Sequence, residues 1–150
     1  MGIVYSDTGP KHAFEQTCSA TRLELDDLLA RSQVVSVHVP STQETRGLFE
    51  HGRFRQMREG ALFINTARGG LVDEDALLKA VDDGPLGGAG LDVFRREPEV
   101  PRALVEHPRV VTLPHIGSAT THTRRAMAEL AVKNAKEVLE GGEPLTPVRR

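Results

Sequence analysis

The chain has 150 residues, of which 39% are hydrophobic and 27% charged, and its formal net charge is −2. This length suits one domain with a hydrophobic core, and the balanced charge argues against a nucleic-acid-binding protein. No apolar run approaches the roughly 20 residues that a membrane helix needs, and the segment after Met1 lacks the charged start of a secretory signal. The single cysteine, Cys18, excludes an internal disulfide, so we expect a cytoplasmic protein.

Short β-branched runs alternate with helical patterns along the chain. This alternation is typical of parallel strands joined by crossover helices. The predicted strands are residues 3–5, 34–39, 61–65, 89–93 and 110–112. Several of them are apolar without alternation, as expected for strands that are covered on both faces. With no repeat and no linker to mark a boundary, the predicted fold is one α/β unit with a doubly wound parallel sheet.

Three helices are predicted between and after these strands. Leucines within residues 23–29 fit a short amphipathic helix before the second predicted strand. Another helix begins in the acidic run at Asp73, where acids favour a helix N-terminus, and stops at Gly84. The last is predicted over residues 120–140, with Ser118 as the candidate cap.

Three motifs place a chemically active side chain directly after an apolar stretch. They are FINTARGGLVDEDALL with Arg68, GGAGLDVFRREP with Glu97, and LPHIGSAT with His115. In open α/β sheets, ligands bind at the carboxyl ends of the strands. A guanidinium there can bind a planar carboxylate through two parallel hydrogen bonds. A histidine can donate and recover a proton near neutral pH. The motifs therefore predict a site for a small carboxylic acid that undergoes proton transfer.

Each of these residues also has an ordinary structural explanation. Arg68 could pair with Asp73 across the following turn, and Glu97 could be a surface residue before a proline. Glu99 is a weaker candidate for the role of Glu97. Most histidines in folded proteins are not catalytic, and only its motif distinguishes His115. Four further histidines have polar, loop-like surroundings and receive no role: His12, His51, His107 and His122.

Taken together, the three motifs resemble the cofactor domain of the D-specific 2-hydroxyacid dehydrogenases. The resemblance extends over almost the whole chain. The segments RGGLVDE and PHIGSAT most resemble those of the glyoxylate and hydroxypyruvate reductases. It implies a Rossmann-type fold and an enzyme that interconverts a small 2-oxo acid and a 2-hydroxy acid with NAD. In that enzyme Arg68 would bind the substrate carboxylate and His115 would protonate the carbonyl oxygen. Glu97 would favour the protonated histidine.

The resemblance also implies a set of cofactor contacts. Asp7 ends the first predicted strand, where a carboxylate would bind the adenosine ribose and repel the extra phosphate of NADP. From the residues alone, Asp7 could equally form an Asx-turn with the residues that follow it. His38 could simply be part of the packing, and Asp92 could end a strand by turn bonding. The remaining implied contacts are His38, Val39, Pro40, Thr45, Thr66, Ala67, Arg68, Asp92, His115, Ile116 and Gly117. No metal ligand is predicted.

Two parts of the family pattern do not occur in the 150 residues. One is the strand, glycine-rich G-x-G-x-x-G turn and helix that would bind the pyrophosphate; the other is the separate substrate domain. The glycine clusters at residues 69–70 and 87–90 lie elsewhere in the pattern. Because the implied strand order is 3-2-1-4-5-6, the absent strand is a central one, and its loss would expose strand edges.

We therefore interpret residues 1–150 as a partial dinucleotide-binding domain, either a fragment or a chain that needs a partner. We expect it to be inactive alone and to form homo-oligomers. Its expected ligand is a small 2-oxo or 2-hydroxy acid, with no nucleic acid and no membrane as partner. The alternatives are a dinucleotide-sensing, corepressor-like binding protein without enzymatic activity and an inactive remnant.

Overall fold

The computed structural model describes residues 2–148. The chain divides into two compact units, one that extends to Pro114 and one that starts at His115. The first unit is an α/β structure in which neighbouring strands of both sheets are parallel. The predicted fold class is therefore confirmed.

The order of elements follows the predicted alternation, with additional short elements. In chain order they are β1 Val4–Tyr5, α1 His12–Cys18, β2 Thr21–Arg22, α2 Leu25–Arg31, β3 Val34–Val37, α3 His51–Arg55, β4 Ala61–Asn65, a 3-10 turn Gly69–Leu71, α4 Glu74–Asp82, β5 Leu86–Leu91, α5 Arg102–Val105, β6 Val110–Thr112 and α6 Thr121–Leu139.

The strands form two separate sheets. One has the order β1-β2 and the other the order β3-β4-β5-β6. The break falls between β1 and β3, where the family's strand order would insert the strand that precedes the glycine-rich turn. Among the described residues, β1 therefore has a single neighbouring strand, β2, and β3 has only β4.

The core of the first unit lies on one face of the larger sheet. Three phenylalanines, Phe49, Phe54 and Phe63, pack with ring centroids 4.9–6.1 Å apart and are at most 3% exposed. On the opposite face, Val34 is 54% exposed and its register partner Leu62 is 44% exposed. The expectation that the strands are covered on both faces is thus wrong for the described residues.

Several predicted boundaries are corrected. The strand predicted over residues 34–39 ends at Val37, before the proline at position 40, which cannot donate to a sheet. The strand predicted over residues 89–93 begins earlier, at Leu86, and ends at Leu91. The sequence pattern does not reveal the first half of this strand, because glycines stand where apolar side chains are expected. Glycine is needed at position 87, since a Cβ there would lie 2.8 Å from the carbonyl oxygen of Gly60.

The first predicted helix also starts later than the leucine pattern indicates. It begins at Leu25, whereas the backbone N–H of Leu23 donates to the carbonyl oxygen of Tyr5 at 2.9 Å and continues the pairing of β1 with β2. Strand β2 and helices α1, α3 and α5 were not predicted, because each has only two to seven residues and carries little periodic signal.

Two of the four histidines in loop-like surroundings begin helices that the sequence did not predict. His12 begins α1 and His51 begins α3. His122 lies in the first turn of α6, inside the predicted helix, and His107 lies in the turn after α5. There its ring Nε2 lies 2.9 Å from Asp82 Oδ1.

The ends of the two longer helices agree with prediction except for one cap. Asp73 caps α4 by accepting hydrogen bonds from the N–H groups of Asp75 and Ala76, both at 3.1 Å. The cap of α6 is Thr120, which accepts from the N–H of Thr123 at 3.1 Å, and not Ser118. None of the described residues of α6 is buried, and none of the described helices is both long and apolar enough to cross a membrane.

Candidate functional site

The predicted ligand contacts of the first unit follow the carboxyl ends of three neighbouring strands. His38 comes after β3, Thr66 after β4 and Asp92 after β5. These ends lie level across the sheet, because Val37 pairs in register with Asn65, which pairs with Leu91. Parallel strands thus bring three distant segments to one edge, which is where open α/β sheets bind ligands.

A pocket of about 480 Å³ lies at this edge. Its lining residues come from the segments after β3 and β4, and all but Ser41 were predicted as cofactor or substrate contacts. They are His38, Val39, Pro40, Ser41, Ala67 and Arg68. The ring Nε2 of His38 lies 2.8 Å from the hydroxyl of Ser36, which fixes the orientation of the imidazole.

Arg68 presents an exposed guanidinium beside this pocket. Its backbone is extended, with φ −149° and ψ 141°, and its Nη1 donates to the carbonyl oxygen of Ala67 at 2.6 Å. The alternative pairing with Asp73 is not what the structure shows, because that carboxylate is the N-cap of α4. The remaining N–H groups of a guanidinium suit a bidentate carboxylate ligand.

The loop that carries Arg68 is held by Asn65, a residue that the sequence analysis missed. The Asn65 side chain is fully buried. Its Oδ1 accepts from the N–H of Ala67 at 3.1 Å, and its Nδ2 donates to the carbonyl oxygen of Arg68 at 3.0 Å. A buried amide must satisfy its polar atoms, and here it does so on the loop itself. The available signal was a polar residue that closes the otherwise apolar strand ALFIN.

The Arg68 loop lies directly against the segment that leads to Glu97. A Cβ at Gly69 would lie 2.0 Å from the carbonyl carbon of Phe94 and 2.5 Å from the backbone nitrogen of Arg95. Only glycine permits this approach of two backbones. Gly69 therefore permits close contact between two loops of the chain.

Glu97 lies in a tight exposed turn. Its Oε1 accepts from the N–H of Phe94 at 2.9 Å. The next amide, that of Arg95, donates to Oε1 of Glu74 on α4 at 2.8 Å. Glu99, the weaker candidate, closes the turn through its own N–H, which donates to the carbonyl oxygen of Arg96 at 2.9 Å.

Two predicted contacts have structural roles in the described chain. The N–H of Asp92, a residue only 3% exposed, donates to the carbonyl oxygen of Asn65 at 3.0 Å. The Thr45 hydroxyl donates to the carbonyl oxygen of Pro40 at 2.6 Å and accepts from the N–H of Thr42 at 2.8 Å. Thr45 therefore shapes the loop that lines the pocket.

Asp7 lies in the loop after β1, as predicted. Its Oδ1 lies 3.2 Å from Lys11 Nζ and accepts from Thr8 and Gly9. The hydrogen bond from Lys11 holds the pKa of Asp7 below its usual range. The contacts with Thr8 and Gly9 are those of an Asx-turn, so this turn is formed, and a charged carboxylate remains 38% exposed at the end of the strand.

The third motif opens the second unit. His115 has a φ of +54°, in the left-handed region that few residues other than glycine adopt and in which histidine is enriched. The carbonyl oxygen of Ile116 accepts from the N–H of Ala119 at 2.8 Å, and α6 follows after its cap at Thr120. His115, Ile116 and Gly117 are all exposed. Such unusual backbone conformations cluster at functional sites.

Comparison with known proteins identifies the family. The model for "D-isomer specific 2-hydroxyacid dehydrogenase, NAD binding domain" matches residues 1–117. The chain belongs to this family. A glyoxylate reductase of Thermofilum pendens is 49% identical over 122 residues, which cover 81% of this chain and 36% of that protein. A glyoxylate reductase of Pyrococcus horikoshii is 42% identical over 150 residues, which cover all of this chain and 45% of that protein.

Solved structures of the family have the same fold. The TT0316 protein of Thermus thermophilus is 46% identical with a TM-score of 0.89, and the match covers 99% of this chain and 46% of that one. The holo form of Rhodotorula graminis D-mandelate dehydrogenase is 37% identical with a TM-score of 0.90, covering 100% and 44%. The chain thus spans less than half the length of these relatives.

The residues present fit part of the NAD that the family binds. An exposed carboxylate at Asp7 can accept hydrogen bonds from ribose hydroxyls, and the pocket lined by His38 and Arg68 offers polar groups to a ligand. The glycine clusters do not suit the diphosphate, because Gly69 packs on Phe94 and the cluster at residues 87–90 lies within β5. Within residues 2–148, no group of three His, Cys, Asp or Glu side chains is placed to hold a metal ion.

Proposed function

We propose that residues 1–150 form a partial dinucleotide-binding domain of an NAD-dependent dehydrogenase that interconverts a small 2-oxo acid and the corresponding D-2-hydroxy acid. Glyoxylate and hydroxypyruvate are the proposed substrates. The observation that carries this proposal is the exposed guanidinium of Arg68 beside a pocket at the carboxyl ends of parallel strands, on a loop that buried Asn65 fixes. Family membership and relatives named glyoxylate reductase support it.

In the proposed mechanism the chain binds the substrate and handles one proton. Arg68 binds the carboxylate through two parallel charged hydrogen bonds, which orients the carbonyl group. His115 donates a proton to the carbonyl oxygen during reduction and takes it back during oxidation. Glu97 stabilises the protonated histidine through its negative charge. NADH, when bound, supplies the hydride.

We propose that the cofactor contacts are those the sequence predicts. Asp7 selects NAD, because its carboxylate binds ribose hydroxyls and repels an added phosphate. This carboxylate is ionised at neutral pH, and the hydrogen bond from Lys11, which lowers its pKa, extends the charged form to more acidic conditions. The contacts to the nicotinamide end are His38, Val39, Pro40, Thr45, Thr66, Ala67, Arg68, Asp92, His115, Ile116 and Gly117. We further propose a homo-oligomer in the cytoplasm.

Capture of the native protein from its source, followed by intact mass measurement and assay, tests the proposal. The captured species is expected to oxidise NADH in the presence of glyoxylate or hydroxypyruvate. His115→Gln is expected to lower kcat by about 10²- to 10⁴-fold, the usual contribution of a general acid. His122→Gln is the matched control, since His122 lies exposed in the first turn of α6.

Two results would contradict the proposed function. One is a captured species that reduces neither acid with NADH. The other is a His115→Gln variant as active as His122→Gln. A cellular role that survives Arg68→Gln without turnover would instead indicate a dinucleotide-sensing binding protein.

A further inference from the structure

A second carboxylate holds the turn that carries Glu97. The consecutive N–H groups of Phe94 and Arg95 are each bound by a glutamate: Phe94 by Glu97 Oε1 at 2.9 Å, and Arg95 by Glu74 Oε1 at 2.8 Å. Glu74 is 21 residues away along the chain from Arg95. This hydrogen bond therefore ties the turn to a different element, helix α4.

Helix α4 is held in place by its packing and its cap, and it therefore holds Glu74 in a fixed position. Its apolar side is buried in the core through Ala76, Leu77, Ala80 and Val81, and Asp73 caps its start. Half-buried Glu74 is the first helical residue. An ionised acceptor makes a stronger hydrogen bond to a backbone N–H than a neutral acceptor does. Helix α4 therefore fixes the position of the Glu74 carboxylate that binds the N–H of Arg95.

The same stretch of backbone is fixed from a second direction. Gly69, next to Arg68, lies so close to Phe94 and Arg95 that a Cβ would overlap them. Contact with Gly69 limits how closely the turn can approach the Arg68 loop, and the hydrogen bond to Glu74 ties the turn to α4. Because Glu97 Oε1 is bound to the Phe94 amide, the position of this backbone sets where the Glu97 carboxylate lies.

We propose that Glu74 is a positioning residue for Glu97 and joins the Arg68 loop and the Glu97 turn into one rigid site. This inference rests on the proposed function, in which Glu97 supports the proton-donating histidine. Glu74 touches neither the substrate nor the reacting atoms in this account. It acts through the backbone of Arg95.

Steady-state kinetics of the native protein, with variants introduced at its own locus, test this role. Glu74→Ala is expected to lower kcat about tenfold or more, because a small misplacement of a group that acts in the reaction is costly. It should also reproduce the altered pH profile of Glu97→Gln. The KM for the 2-oxo acid should change little, because Arg68 still binds the carboxylate. Glu74→Gln should restore most of kcat, since its amide oxygen can accept the Arg95 hydrogen bond.

Asp75→Ala is the matched control. Asp75 is the next residue of the same helical turn and carries the same charge, but it is exposed. If Glu74 served only to stabilise the N-terminus of α4 through its charge, Asp75→Ala and Glu74→Gln would match Glu74→Ala. Should Glu74→Ala fold poorly, Glu74→Met removes the acceptor while keeping a long side chain with high helix propensity.

The outcomes separate this inference from the proposed function. An unchanged pH profile in Glu74→Ala and Glu74→Met, together with an altered profile in Glu97→Gln, would overturn the role of Glu74 and leave the proposed function intact. A Glu97→Gln variant indistinguishable from the unmodified enzyme would overturn the proposed role of Glu97 and, with it, the inference for Glu74, while NADH-dependent turnover would leave the proposed reaction standing. Faster hydrogen exchange of the Phe94 amide in Glu74→Ala, but not in Glu74→Gln, is the expected structural signature; equal exchange counts against the inference.

Discussion

Asn65 shows how one buried polar side chain can define a binding loop. Its side-chain amide satisfies the N–H of Ala67 and the carbonyl oxygen of Arg68, while its own carbonyl accepts from Asp92. An apolar residue at this position would leave these partners without the side-chain bonds that hold them. The conformation of the Arg68 loop therefore depends on a buried residue at the end of β4.

Replacing Asn65 with Ala is expected to destabilise the chain by about 1–3 kcal/mol, the cost of leaving buried polar groups unsatisfied. Urea unfolding measures this change. Thr66→Ala is the control, because Thr66 is the exposed neighbour, and it should stay within about 0.5 kcal/mol of the unmodified chain. Equal unfolding free energies for the two variants would contradict the role of Asn65.

The pKa of Glu15 depends on the hydrogen bonds that its carboxylate accepts. A hydrogen bond from the Tyr5 hydroxyl, followed by one from His12, lowers the pKa of Glu15 below 4.5. Since the folded value is the lower one, the stabilisation is present above about pH 4.5 and is lost as the pH falls through the lowered pKa.

The change Tyr5→Phe is expected to raise the pKa of Glu15 towards 4.5. Carbon-detected NMR titration of the Glu15 carboxyl group measures it. The stability difference between the two proteins should be greatest above about pH 4.5 and shrink on acidification. A Glu15 titration midpoint that Tyr5→Phe leaves unchanged would contradict this explanation.

Motifs could identify the candidate site residues, but not the residues that hold them. Arg68, Glu97 and His115 were selected because each lies in a long motif, and they remain predictions as catalytic residues. Asn65 and Glu74 were not selected, because their roles depend on hydrogen bonds to other segments that only the folded chain brings together. The polar end of ALFIN marks Asn65 as unusual, but local sequence does not identify the hydrogen-bond partners of Asn65 or Glu74.

At the level of elements, two loops are held by backbone contact. Gly69 fits against the Phe94 backbone only because it has no side chain, whereas Gly70 has more room: a Cβ there would lie 3.6 Å from Ser41 Oγ, an ordinary contact. The two adjacent glycines therefore differ in what they permit, although the sequence treats them alike.

Gly69→Ala is expected to destabilise the chain by about 3 kcal/mol or more, because the new methyl group must displace backbone atoms. Gly70→Ala should lie within about 1 kcal/mol of the unmodified chain. Thermal and urea unfolding of both variants provide the measurement. Comparable stability of the two variants would show that the approach of the two loops is looser than described.

The alternation of strands and helices was predictable because apolar runs mark the larger elements. Strand β4 and the limits of α4 and α6 agree with prediction, since each has a regular pattern or a clear end signal. Strand β5 was shortened in prediction, because half of its residues are glycines. Short elements such as β2 are stabilised by their partner strand and carry no pattern of their own.

For the whole molecule, the main structural feature is the break in the sheet. Strands β1 and β2 form one sheet and β3 to β6 another, and the larger sheet has an exposed apolar face with Val34, Leu62 and Val111. The chain spans less than half the length of its relatives. The glycine clusters at residues 69–70 and 87–90 do not suit the diphosphate of NAD. The site that we propose therefore needs another segment to bind the diphosphate.

The 150-residue chain alone is expected to have no measurable dehydrogenase activity. The reason is that a dinucleotide needs a phosphate-binding loop and a closed site. Purified chain of verified mass, assayed with NADH and either glyoxylate or hydroxypyruvate, should show no NADH oxidation above the protein-free rate. Turnover by this chain would contradict the interpretation as a partial domain.

Whether Arg68 binds the substrate carboxylate is decided by the effect of Arg68→Lys on kcat/KM for glyoxylate in the native protein. Lysine keeps the positive charge but loses the planar, two-bond geometry. We expect a loss of about tenfold or more in kcat/KM, since two fixed hydrogen bonds orient the substrate for reaction. An Arg68→Lys enzyme with unchanged kcat/KM would show that Arg68 does not bind the substrate carboxylate.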